Sequence, residues 1–274
     1  MYGLLARSLR GVAVSCVVFA ALATHPAQGQ IIRRDALLLA LPDRSIEPFG
    51  LSAERAPAGP MWIRWREFER GIGQSAEAVA RCKSDPSTCS PAETRLIALI
   101  DIARGAEGRA KFGLINREIN LSIAYTSDAS QFGKDDVWSD AVATVSNGQG
   151  DCEDFAIAKY LVLREAGIPT SDLRLLVGRV RTDGIAHAVV AARLDGRWLI
   201  LDQRRMAMIE DAHASDLQPL FALDTSGVKQ FGAPVSDVAT GPPSSSAGEF
   251  SAFAGARTQY AAVADVIRRQ KISR

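Results

Sequence analysis

The chain carries almost no net charge: 32 basic and 31 acidic side chains over 274 residues leave a formal +1. That balance excludes the basic stripe by which a protein holds nucleic acid, and no polybasic segment is strong enough to hold a membrane. No internal repeat is visible, which argues against a solenoid or propeller. Cysteine is scarce, four residues, and histidine scarcer still at three. No histidine lies near Cys82 and Cys89, which argues against a metal clamp there. The uncharged apolar run near the N-terminus, Gly11 to Ala23, is too short to span a bilayer with its flanks.

That run nevertheless has a use. Arg7 and Arg10 precede it, and Ala27-Gln28-Gly29 follows with small residues where a signal peptidase reads. Residues 1–29 are therefore predicted to be an export signal, which places the mature chain in the periplasm or outside the cell and takes His25 with it. About 245 residues remain, enough for one ordinary domain plus a tail. They keep Cys82, Cys89 and Cys152, and an odd count in an exported chain leaves one thiol over. Cys82 and Cys89, in "RCKSDPSTCS", either pair in an oxidising compartment or stand as two free thiols; sequence does not show the Cα separation a bridge needs. If they pair, Cys152 is the free one.

Residues 30–60 read as a Pro-rich arm, 61–224 as the domain, and 225–274 as a flexible Gly/Ser/Pro-rich tail ending in a short amphipathic piece from Gln259 to Ile272. Within the domain, helical spacing runs from Trp62 to Ala80. Ser90-Pro91-Ala92-Glu93 is a capping box opening a long helical region to about Ile123. "YTSDASQFGKDDVWSD" reads as a loop. A helix over about 153–166 is apolar nearly all round, hence buried, and Gly167 with Pro169 ends it. Strand patterns follow at 173–180, 187–194 and 197–202, the last two flanking an Asp195-Gly196 hairpin turn. Helices first and an antiparallel sheet afterwards make an α+β fold.

The chemistry concentrates in "NGQGDCEDFAIAKYLVLREAGIP", where Cys152 sits at the head of the buried helix. A helix N-terminus offers partial positive charge and free N–H groups, which lower a thiol pKa and can receive an oxyanion. If Asp195 and Gly196 are the turn, Leu194 faces Arg197, Val189 faces Asp202 and His187 faces Arg204. His187 and Asp202 are then diagonal neighbours on one face. A one-residue slip would separate them. Cysteine, histidine and aspartate are the parts of a thiol-nucleophile triad: nucleophile, proton carrier and orienting carboxylate. Bland alternatives stand beside this: a lone cysteine heading a buried helix is usually a small hydrophobe, a lone histidine on a strand is usually structural, and Asp151 and Asp154 suit a helix cap and first turn. Trp138 reads either as an aromatic beside the oxyanion or as core, and His213 as a solvent-facing residue.

"GDCEDFAIAKY", "GIP", "HAVV" and "LILD", with "INREINLSI" and "FGKDDVW" upstream, resemble the bacterial transglutaminase-like cysteine proteinases, the family that includes the LapG proteases. The likeness runs from about Trp62 to about Leu223; the chain has Gln203 where the family commonly has Asn after the aspartate. The resemblance implies a papain-like/transglutaminase-like fold with Cys152 as nucleophile, His187 as base and Asp202 as orienting residue. It implies a protein substrate, of surface-adhesin type in biofilm control, and a regulatory receptor at the inner membrane. An amidase or transglutaminase would share the triad, and a non-catalytic binding protein would share the fold. The resemblance also implies calcium dependence through the acidic residues beside the cysteine, here Asp151 and Glu153, with Asp135, Asp136 and Asp140 on the preceding loop as candidate additions. Oxygen-only ligands of this kind suit calcium; the alternative is that arginines or lysines neutralise them.

Overall fold

The computed structural model describes residues 47–134 and 136–234. The predicted export signal, Asp135 and the amphipathic piece from Gln259 to Ile272 lie outside the described residues.

The first long helix, α1 (Pro60–Ser84), has proline in its first turn and buries Met61, Phe68, Ile72, Val79 and Cys82 along one stripe. A disulfide joins Cys82 to Cys89 with a Cα separation of 4.8 Å, tying the end of α1 to the next helix. That helix, α2 (Pro91–Gly105), opens on the expected capping box: Glu93 N–H donates to Ser90 Oγ, and Ser90 N–H donates to Glu93 Oε2. The long helical region predicted to reach Ile123 is instead two helices. The chain is extended at Ala106 and Glu107, between two glycines, before α3 (Gly108–Ser122) resumes.

The segment read as a loop holds more structure than expected. Strand β2 (Ala124–Tyr125) pairs in parallel with β3 (Gln149–Gly150), and a single helical turn, α4 (Asp128–Phe132), follows it. The short helix α5 (Ala141–Asn147) is capped by Asp140, whose Oδ1 accepts from the Val142 and Ala143 amides. The central helix, α6 (Cys152–Glu165), is buried from Glu153 to Leu163, as its all-round apolarity predicts. Phe68 of α1 meets its Tyr160 edge-to-face at 4.9 Å.

Seven antiparallel strands form the sheet, in the order β1-β9-β8-β4-β5-β6-β7. They are β1 (Leu51–Arg55), β4 (Leu173–Val180), β5 (Ala186–Leu194), β6 (Arg197–Leu201), β7 (Ile209–Glu210), β8 (Leu217–Asp224) and β9 (Gly227–Pro234). Both faces of the central strands are covered, so they read as nearly continuous apolar runs. Leu175, Val177, Ala188, Val190, Leu199 and Phe221 pack with the helices. Leu176, Val189, Ala191, Trp198, Ile200 and Phe231 form a second cluster with Phe49 and Leu51.

The sheet reaches past both limits read from sequence. Strand β1 lies in the stretch assigned to the arm, and β9 in the stretch assigned to the tail, where its Gly and Pro content hid a strand whose Val228 and Phe231 pack on opposite faces of the sheet. A buried ionic cluster secures this edge: Arg174 pairs with Glu47 at 2.7 Å and Asp224 at 3.4 Å, and Lys229 pairs with both carboxylates at 2.9 Å.

Candidate active site

Strand β3 delivers the chain to α6. Ala124 N–H donates to Gly148 O and Thr126 N–H to Gly150 O, each at 2.8 Å, which fixes the approach. Asp151 is extended at the cap position, with no side-chain cap hydrogen bond, and the helix begins at Cys152, its first turn carrying N–H groups without an intrahelical partner. Cys152 is half-buried against the main core. Its thiol donates to Glu153 Oε2 at 3.0 Å, and the backbone amide of Ala188, next to His187, is directed at its sulfur.

The hairpin has the register expected of its turn. Leu194 pairs with Arg197 and Val190 with Leu201, and both turn residues, Asp195 and Gly196, have positive φ, as a two-residue type I′ connection requires. His187 and Asp202 therefore share a face. Asp202 lies just beyond the last residue of β6, and the two buried side chains meet with His187 Nε2 2.9 Å from Asp202 Oδ1. With Nε2 bound to the carboxylate, Nδ1 is the ring nitrogen left for a second partner.

Asp202 is itself held on every side. Its Oδ1 also accepts from Arg204 N–H at 2.9 Å, and its Oδ2 from Arg204 Nε and Nη2 at 3.2 and 3.1 Å. Asn120 of α3 donates to the Asp202 carbonyl at 3.0 Å and to that of Arg205 at 2.9 Å. Burial alone would raise the Asp202 pKa; the hydrogen bond and charge of His187, then those of Arg204, hold it well below the usual carboxylate range. Sequence reasoning did not find Arg204 or Asn120. Only the polar Asn116 and Asn120 beside the apolar stripe of α3 could have signalled a helix face turned toward a polar partner.

On the other side of Cys152 the charge is negative. Asp151, Cys152 and Glu153 offer ligand atoms within 4.8 Å of one another, as do Asp128, Asp151 and Asp154, and Asp128, Asp136 and Glu153. Asp151, Glu153 and Asp136 thus stand where sequence reasoning grouped them. Asp140 does not: it caps α5 and accepts from Ser75 Oγ. Asp128, brought in by α4, was not foreseen, and Asp154 joins the group as well as occupying the first helical turn. The carboxylates repel each other. Burial, then Asp151 and Asp136, push the Glu153 carboxyl up, and burial with Asp151 brings Asp154 to about 8. The Cys152 thiol is raised by burial, then by Glu153 and Asp151. Such a set fits a hard cation: every donor except the thiol is a carboxylate oxygen, and fully buried Asp154 has its Oδ2 without a hydrogen-bond partner. Trp138 is partly buried against the core, its Nε1–H donating to Asp136 Oδ1, and His213 is exposed as expected.

Residues 74–216 match the profile of the bacterial transglutaminase-like cysteine proteinases. The chain belongs to that family. This cysteine peptidase is similar at 25% identity to the solved structure of Legionella pneumophila LapG, over 60% of this chain and 87% of that one, with a TM-score of 0.46. The calcium-bound form of the same LapG aligns at 25% identity over 58% and 87% of the two chains, with a TM-score of 0.47. An EGTA-treated form gives 25%, 60% and 84%, with 0.46. No curated protein matches.

Proposed function

We propose that this cysteine peptidase is an exported endopeptidase in which Cys152, His187 and Asp202 act as one unit on a periplasmic or surface protein, with calcium bound at the adjoining carboxylates. The observation that carries the reading is the buried His187–Asp202 hydrogen bond, formed beside a cysteine at a helix N-terminus. His187 Nδ1 takes the thiol proton as Sγ attacks the scissile carbonyl, while the first amides of α6 receive the oxyanion. The imidazolium, stabilised by Asp202, then returns that proton to the departing amine, leaving a thioester on Cys152. Water, deprotonated by the same nitrogen, attacks the thioester, which releases the acid and restores the thiol.

Asp151 and Glu153 oppose the thiolate this chemistry needs, and a calcium ion on them would supply compensating positive charge. The Cys82–Cys89 disulfide supports an oxidising compartment. By family resemblance the substrate is of the adhesin type. The test compares exported and surface proteins of the parent strain with those of a Cys152→Ser strain. One protein should keep an uncut N-terminal region in the variant; identical N-termini throughout would overturn the reading.

A further inference from the structure

The acidic nest beside Cys152 already has a cation of the protein's own. Arg64, in the first turns of α1, sends Nη1 to Glu67 Oε2 at 2.6 Å and Nη2 to Asp136 Oδ2 at 2.5 Å. Asp136 is one of the carboxylates grouped with Asp128 and Glu153, and the guanidinium also lies within the field of Glu153. The other Asp136 oxygen accepts from Trp138 Nε1 at 3.1 Å, so both of its oxygens are engaged. Fully buried Asp154, whose Oδ2 has no hydrogen-bond partner, belongs to the adjoining group with Asp128 and Asp151.

We infer that Arg64 is a resident counter-cation of this nest, which calcium must dislodge from Asp136, so that this side chain sets the calcium concentration at which the site fills. The inference rests on the calcium reading above. A guanidinium is charged at every accessible pH, so its competition is permanent. Two effects decide its sign. Repulsion between a divalent ion and a guanidinium roughly 6 Å apart weakens binding about tenfold even at the dielectric of water, and more at the lower effective dielectric near a protein surface. Against this, Arg64 holds Asp136 in place, but a part-exposed ion pair is worth at most about fivefold. Repulsion wins. Glu67 moderates it by sharing the guanidinium, so the resting state is a three-way contest among Glu67, Asp136 and whatever cation is supplied.

Calcium titration calorimetry on the chelator-treated full chain tests this without any substrate, with circular dichroism to confirm folding. Arg64→Met should bind calcium at least about tenfold more tightly than the parent, and Arg64→Lys, which keeps the charge, should stay within about threefold of it. Glu67→Gln, which leaves the guanidinium to Asp136, should bind more weakly and serves as an independent arm should Arg64→Met fail to fold. Equal or weaker binding by Arg64→Met, or tighter binding by Glu67→Gln, while the parent binds normally, overturns the role of Arg64 and leaves the calcium reading standing. Absence of calcium binding by the parent and every variant overturns the calcium reading and this inference together.

Discussion

Replacing Lys159 by methionine should stabilise the protein, by an amount that shrinks as pH rises. Lys159 lies two turns along α6 from Cys152, is 1% exposed, and has its Nζ 5.9 Å from the centroid of the Phe155 ring. Burial pulls its pKa down to about 7, and the field of Asp202 only partly resists. In an unfolded chain the same amine titrates near about 10.4. Above that pH both states are neutral and the group contributes nothing. As pH falls from about 10.4 to about 7, the unfolded chain holds a proton that the folded one lacks, so stability falls; below about 7 both are charged and the penalty is constant. A gap of about 3.4 in pKa, at about 1.4 kcal/mol each, makes the full penalty about 5 kcal/mol as an upper bound and about 3 kcal/mol at pH 8. Methionine has similar length and no charge to bury, and it keeps the contact with Phe155. Urea unfolding of parent and variant at about pH 6, 8 and 10, without reductant so that the Cys82–Cys89 bridge stays closed, measures the difference directly. The gain should be largest at the lowest pH and near zero at the highest. A gain that does not vary with pH, or a variant less stable than the parent at the lowest pH, would refute the assignment of a charge-burial penalty to Lys159.

Glu153→Gln should lower the pH midpoint for alkylation of Cys152 in calcium-free buffer. Its Oε2 lies 3.0 Å from the sulfur, and a unit charge at that distance is worth at least about 1.4 kcal/mol, or about one pH unit, even at the dielectric of water. An unchanged or higher midpoint would show that Glu153 does not restrain the thiol. Gly178→Ala should cost about 3 kcal/mol by overpacking, because a Cβ there would stand 2.3 Å from the Gln218 carbonyl oxygen, in backbone that cannot swing aside. Gly178 pairs with His187, so the same variant should also disturb the pH profile of alkylation; a urea midpoint equal to the parent's would refute the packing argument.

Local rules were sufficient for several elements. The Ser90–Glu93 box, the all-round apolarity of α6 and the Asp195-Gly196 turn are each decided by residues close together in the chain, and each formed as its chemistry dictates. Because a two-residue turn sets the register of its hairpin, sequence alone was enough to place His187 and Asp202 on one face. Partners distant in sequence were decided only by the tertiary structure. Arg204 lies two residues from Asp202, yet its hold on that carboxylate depends on the chain turning back after β6, and Asn120 reaches the same place from a helix 82 residues away. Asp128 entered the acidic nest, and Asp140 left it, according to which short helix each carboxylate begins. Strands β1 and β9 were hidden for a related reason: β1 is a short, mostly polar edge strand and β9 is rich in Gly and Pro, so each has weak local preference and takes its place from pairing with a sheet already built. Turn chemistry and periodicity act over a few residues, whereas the acidic nest beside Cys152 gathers groups from α4, the following loop and α6 that only folding brings together.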